Sequence, residues 1–251
     1  MKPIVQRKRI IIEPGDYAVI RDERSDQRVH QTVRSITIHL KEGAQLSYID
    51  LQQLSDSSSE LTVMTVRMDA HSSFLYEGLH CGARYARTSI TLLLQAEGAD
   101  AKVSIGSLAV GTQRHSFITT QHHRGTRAKS ICSVRTSVYD AACVSYYGSI
   151  EVDEQAQLSE TYQHHKAILM SDQARAFARP SLAIRAHDVQ CGHGSAIGQI
   201  DEGHSFYLQS RGIDVDAAEK FLVRSFFDEL YGDTVLQEVM RNVNSYGKNL
   251  E

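Results

Sequence analysis

The sequence predicts a mainly β chain, a parallel β-solenoid that gives way to an α-helical C-terminal segment. Three observations carry this. Small turn residues followed by an apolar/polar strand recur at a near-constant spacing. Thr, Ser, Val and Ile are frequent in those strands, while proline is scarce (Pro 3) and tryptophan absent. From Asp201 the hydrophobic period changes from alternation to helical spacing.

The chain opens with basic residues and the apolar run Ile10–Ile12, too short for a signal-peptide core. It reads as a first strand closed by the turn pair Pro14-Gly15. Turn-plus-strand units then begin at Gly43, Ala70, Gly98, Gly125 and Asp153, in steps of 27, 28, 27 and 28 residues. Weaker half-steps fall at Ser57, Ala83, Gly111 and Asp140. Two strand-and-turn units per coil is what a solenoid needs: one unit cannot bury its own face, and stacking on the next one does. An antiparallel sandwich would favour Asn-Gly hairpin turns, and the chain has none.

The expected division is 1–200 for the solenoid and 201–251 for the helices. A short segment runs from Asp201 to Leu208 and stops at Gly212. A second helix runs from about Asp216 to Leu230, closed by Gly232, with Ala218, Phe221, Leu222, Ser225, Phe226 and Leu230 on one side. A third runs from about Thr234 to Tyr246, with Val235, Leu236, Val239, Met240 and Val243 apolar. Such helices can cap the open end of the coil or bind another protein.

The 251 residues can bury a sizeable core in one large domain or two modest ones. A net charge of −3 gives no electrostatic reason to expect nucleic acid or an anionic membrane surface. No apolar run approaches the roughly 20 residues that span a bilayer. The four cysteines have no CxxC spacing, so reduced thiols in the cytoplasm are the default expectation. Cys132 and Cys143 sit in alternating strands and read as core residues, and Cys81 as an incidental turn residue beside His80.

The sharpest chemical feature is Cys191 and His193, two apart and flanked by Gly192 and Gly194. On a strand, residues two apart share a face, so a thiolate and an imidazole would sit side by side. That is half a site for a metal or an iron–sulfur species. A buried thiol beside a hydrogen-bonded imidazole fits the same spacing. Twelve histidines include the pairs His122-His123 and His164-His165, whose members point to opposite faces. No HExxH, GxSxG or Walker-type loop is present. Asp56, Glu97, Asp153 and Asp172 fall at turns, as solvated edges do, rather than lining a polysaccharide groove. The enzymatic alternative is a metal-dependent β-solenoid hydrolase or lyase, which would carry bound zinc or calcium.

Gln163, ILMSDQARA (168–176), Pro180, LAIRAHDVQCGHGSAIGQIDE (182–202), FYLQSRGI (206–213) and a helix with Arg224 occur in that order. Together they resemble the SufB/SufD family of iron–sulfur cluster assembly scaffolds, from about Ile36 to Leu230 and most strongly from Tyr162. His193-Gly194-Ser195 looks like the SufD branch, since SufB-like chains have His-Glu-Ala there. The resemblance implies a right-handed parallel β-helix with a helical subdomain and no turnover of its own. It implies two partners, a SufB-like scaffold and a SufC-like ABC ATPase, with a homodimer also open. It implies a transient Fe–S cluster shared with the partner, with His193 on the family's cluster-facing histidine and Cys191 on the neighbouring cysteine. His164 lands where the SufB branch places a cluster-associated cysteine. The helices fall on the ATPase-docking region, which gives Phe221, Leu222, Phe226 and Leu230 a partner. Three departures stand out. The family's N-terminal helical region is absent before Ile36, implying a short form. His187 and Gly192 are unusual for their positions. The Thr91–Leu94 strand lacks the sulfur-accepting cysteine of SufB-like chains, which implies an accessory scaffold.

Overall fold

The computed structural model describes residues 3–26, 28–200, 202–231 and 233–246. Fourteen strands alternate between two seven-stranded sheets, and every sheet neighbour for which pairing is defined is parallel. Sheet A holds β1 (Ile4–Ile12), β3 (Gln31–Leu40), β5 (Ser59–Met68), β7 (Tyr85–Leu94), β9 (Arg114–His123), β11 (Cys143–Val152) and β13 (Arg175–Ile184), in that order. Sheet B holds β2 (Tyr17–Arg24), β4 (Gln45–Gln52), β6 (Ser73–Cys81), β8 (Asp100–Ala109), β10 (Lys129–Val138), β12 (Ser159–Leu169) and β14 (Val189–Gln199). This is the expected β-solenoid. Gln45 lies opposite Ser73 and Ser73 opposite Asp100, coils of 28 and 27 residues. In these early coils the turn spacing in the sequence matches the coil length, and later coils are longer, with Asp100 opposite Lys129 and Lys129 opposite Glu160, steps of 29 and 31 residues.

Each strand alternates because one side faces the lumen and the other faces out. In β5 every second residue from Glu60 to Met68 is buried. Rows of like residues stack coil on coil, as in Ile38–Val66–Leu92 and Leu40–Met68–Leu94. Burying each such side chain contributes about 1.5–3 kcal/mol. The corner between the sheets is a second ladder. The N–H of Gly15 donates to the Glu42 carbonyl at 3.0 Å, Gly43 to Ala70 at 2.9 Å, His71 to Glu97 at 2.9 Å and Gly98 to Thr126 at 3.0 Å. All four donors have positive φ, so glycine suits this corner best.

The lumen is not uniformly apolar. In the first coils Arg34 bonds Asp22 at 2.6 Å, Arg24 bonds Glu60 at 2.9 Å, and Tyr48 and Tyr76 donate to Asp22 and Asp50 at 2.7 Å each. The rings of Tyr48 and Tyr76 stack with centroids 6.1 Å apart. Buried histidines His80, His115, His123 and His165 continue the polar lining.

Three helices follow the last strand: α1 (Glu202–Ser210), α2 (Val215–Asp228) and α3 (Asp233–Tyr246). The expected first residue Asp201 and closing Gly232 lie outside the described residues. Asp214 caps α2, its carboxylate accepting from the Ala217 N–H at 2.9 Å. Helices α2 and α3 lie along the outer face of sheet B, where Val223, Phe227, Leu230, Tyr231, Val235 and Val239 pack on Leu51, Leu79, Cys81 and Leu108. Cys81 is therefore a core residue of the helix–sheet interface, not an incidental turn residue. Cys143 departs in the other direction. It stands half-buried on the outer face of sheet A between Arg114 and Arg175, while Cys132 alone of the two faces the lumen. Among the described residues no helix is long and apolar enough to cross a membrane.

Candidate functional site at the last coil

Among the described residues the final strand, β14, pairs only with β12, which leaves its other edge and its lumen face without a further coil. Register fixes which residues share that face. Cys191 lies opposite Thr161, His193 opposite Gln163 and Ser195 opposite His165. Thr161, Gln163 and His165 are all buried in the lumen, so Cys191, His193 and Ser195 point into the same space. Because no coil follows, Cys191 is half-buried and His193 exposed. The two side chains thus stand on one face about 7 Å apart along the strand, at the mouth of the solenoid.

Behind them the lumen is polar. Tyr146 donates to Gln163 Oε1 at 3.4 Å and shares a 2.9 Å bond with Thr119, while Gln163 Nε2 donates to the Ser181 carbonyl at 3.4 Å. His165 stacks on Tyr146 at 5.3 Å and meets Ser195 Oγ at 3.4 Å. Its Nε2 has no hydrogen-bond partner among the described residues. Burial pushes the His165 imidazole down to about 4, so it is neutral at physiological pH.

His164 faces the other way. It is exposed on the outer face of sheet B, stacked on Tyr162 with the rings 6.3 Å apart and nearly parallel. Gly192 and Gly194 lie beneath this pair, and a side-chain carbon at Gly194 would sit 3.4 Å from the His164 ring. A side-chain carbon at either glycine would meet Tyr162 or His164 on the outer face at ordinary contact distance, so these glycines do not open space on the lumen side. The structure brings Cys191 and His193 together and leaves His164 behind the sheet. The histidine on their side is His165, which period-two counting from Gln163 would have found.

The helix residues also sort differently from the expected stripe. Leu230 is buried, 3 % exposed, in the contact with sheet B and presents nothing to a partner. Phe226 is half-buried under the Arg135 guanidinium, 5.4 Å from its ring. Leu222 is half-buried at a hollow with Met170, Val215 and Glu219. Only Phe221 stands well out, 54 % exposed. The helix turns Ala218, Val223 and Phe227 inward, a stripe rotated from the expected one. Among the described residues no three His, Cys, Asp or Glu side chains converge as a metal-binding group.

A family profile described as SUF system FeS cluster assembly, SufBD core domain, matches residues 2–226. The chain is 26 % identical over 248 residues to Protein ABCI7, chloroplastic, of Arabidopsis thaliana, covering 96 % of this chain and 52 % of that protein. It is 28 % identical over 197 residues to an iron-sulfur cluster assembly SufBD family protein of Synechocystis, covering 77 % of this chain and 43 % of the relative. It is 29 % identical over 210 residues to the iron-sulfur cluster assembly protein SufD of Escherichia coli, covering 80 % of this chain and 48 % of SufD. The chain spans about half the length of these relatives. With its matched region running from the first strand into α2, it belongs to the SufBD core family of SUF-system iron–sulfur cluster assembly.

Proposed function

We propose that this chain is a non-catalytic, SufD-like scaffold subunit. In this reading it pairs with a SufB-like subunit and an ABC-type ATPase, and the nascent Fe–S cluster is its cargo. The observation that supports it is the shared placement of half-buried Cys191 and exposed His193 on the lumen face of an edge strand. A thiolate and a neutral imidazole are suitable iron ligands. Two ligands do not complete a cluster site, so a chain docked against the mouth of the coil would supply the rest. Such a site is filled only in the assembly, and the isolated chain would hold no cluster. Phe221 and the hollow at Leu222 are the part of the helical face open to the ATPase.

Anaerobic reconstitution of the complex tests the ligand role. Cys191→Ala and His193→Ala should each lower cluster yield, and His164→Ala should leave it unchanged. Equal yield from the Cys191→Ala/His193→Ala double variant would reject the role. Co-purification with a SufB-like subunit and the ATPase tests the partners. Phe221→Asp should release the ATPase while the chain stays folded.

A further inference from the structure

The outer face of sheet A has nothing packed on it among the described residues, in contrast to sheet B under its helices. The register sets out its three outward rows nearest the strand starts. They begin with Gln31, Val33 and Ser35 on β3 and run coil by coil to β13. With the outward residues of β1 these rows contain Arg7, Arg87, Arg114, Arg175 and Arg179 and no carboxylate. All five arginines are exposed, in a chain whose net charge is −3. None of them is ion-paired to a carboxylate among the described residues. On the adjoining loops the acids are engaged elsewhere: Asp26 by Arg28 and His30, Asp56 by Gln113, and Asp140 by the Gly111 N–H.

The same rows hold a groove of about 590 Å³ that crosses the strands. Its lining includes Val33, Leu61, Tyr85, Arg87 and Arg114; Glu60 also lines it, but is buried with its carboxylate on Arg24 at 2.9 Å. Leu61 is 37 % and Tyr85 50 % exposed, and the Arg84 guanidinium lies 5.9 Å over the Tyr85 ring. An apolar depression lined by unpaired guanidiniums is complementary to a chain that alternates carboxylates with bulky apolar side chains.

We propose that this groove docks an acidic polypeptide segment of a partner protein, with its carboxylates on Arg87 and Arg114 and an apolar side chain over Leu61 and Tyr85. A duplex nucleic acid fits less well, because phosphates would cover the apolar floor without filling it and the chain as a whole is acidic. An anionic membrane would engage the protruding Val5, Tyr147 and Phe177, whereas the proposed contact is with Leu61 and Tyr85 in the depression.

Fluorescence anisotropy with the full chain tests this. The probe is a short fluorescein-labelled peptide alternating glutamate and leucine. It should bind more tightly at low salt, and replacing its glutamates by glutamine should weaken it about tenfold. Arg87→Glu/Arg114→Glu should weaken it at least about tenfold, whereas Lys102→Glu/Lys166→Glu on sheet B should not. Leu61→Asn should weaken it as well. If the reversed pair does not fold, Arg87→Gln/Arg114→Gln carries the same test. Unchanged affinity in the folded arginine variant overturns the proposal. So does arginine-dependent binding of phosphatidylserine vesicles or a DNA duplex in a chain that does not bind the peptide.

Discussion

Tyr231 reaches from the turn after α2 onto sheet B and donates its hydroxyl proton to the carbonyl of Gly78, 153 residues earlier in the chain. Gly106, on the neighbouring strand, leaves the space in which that hydroxyl sits, and a methyl group there would overlap it. The contact is buried, and it holds the helices to the coil at the centre of their shared apolar cluster. Tyr231→Phe leaves the Gly78 carbonyl without this donor and should cost about 1–3 kcal/mol. Gly106→Ala should cost more, because the ring must be displaced and its packing lost. Urea unfolding gives the magnitudes. Limited proteolysis should cut first in the helical segment of both variants.

A second prediction concerns the charges inside the first coils. Burial pushes the Asp22 and Asp50 carboxyls up. The Lys8 bond and Arg34 outweigh it at Asp22, and Arg24 and Arg34 at Asp50, leaving both below the ordinary carboxylate value. Arg34 is 1 % exposed and serves both acids, at 2.6 Å and 3.5 Å. Arg34→Met fills much of the volume and leaves buried carboxylates short of a partner. It should destabilise the fold by about 3–5 kcal/mol. Replacing the whole set with apolar residues would not carry that cost. Denaturant midpoints of Arg34→Met and of an Asp22→Asn/Arg34→Met pair separate the two cases: the pair should recover part of the loss.

The coil length was readable because turns repeat, and repetition survives any error about a single element. The corner glycines Gly43 and Gly98 mark it directly. What the lumen contains was not readable. Alternation separates two faces of a strand but does not say which one is inside when the inner face is itself polar. Asp22, Arg24, Arg34 and Asp50 look like solvated positions by composition, and only the register turns them inward. The helix stripe failed for a related reason. Phe221 and Phe227 are equally apolar, and which of them meets Leu79 depends on how the whole helix docks. At the site, Cys191 and His193 followed from period two. His164 was placed by resemblance to a position, and the same period-two rule puts it on the far side of the sheet.

The four free thiols should differ in reactivity. Burial pushes Cys81 up to about 12 and Cys132 up to about 11, and both lie within packed clusters. A buried thiol with so high a value carries almost no thiolate at neutral pH. Cys143 and Cys191 are half-buried on open faces. Brief alkylation of the native chain with iodoacetamide should therefore label Cys143 and Cys191 and spare Cys81 and Cys132. Peptide mass spectrometry reads the outcome, and labelling of all four in denaturant is the control. Early modification of Cys132 in the native chain would contradict its place in the lumen.

The buried histidines make stability depend on pH in a defined window. Burial pushes His80 down to about 3 and His115, His123 and His165 down to about 4. In the unfolded chain each titrates near 6.5. A depressed folded value means the native state binds fewer protons, so stability is full above about pH 6.5 and falls as pH drops towards 4. Each unit of depression corresponds to about 1.4 kcal/mol for one group. His80 gives the cleanest test because neither ring nitrogen has a hydrogen-bond partner among the described residues. His80→Leu keeps a similar volume beside Phe117, whose ring lies 5.2 Å away, and removes one titrating group. At pH 7.5 its urea midpoint should stay near that of the parent. Between pH 6.5 and 4.5 its stability should fall less steeply, and an unchanged slope would show that His80 is already protonated or hydrated in the native coil.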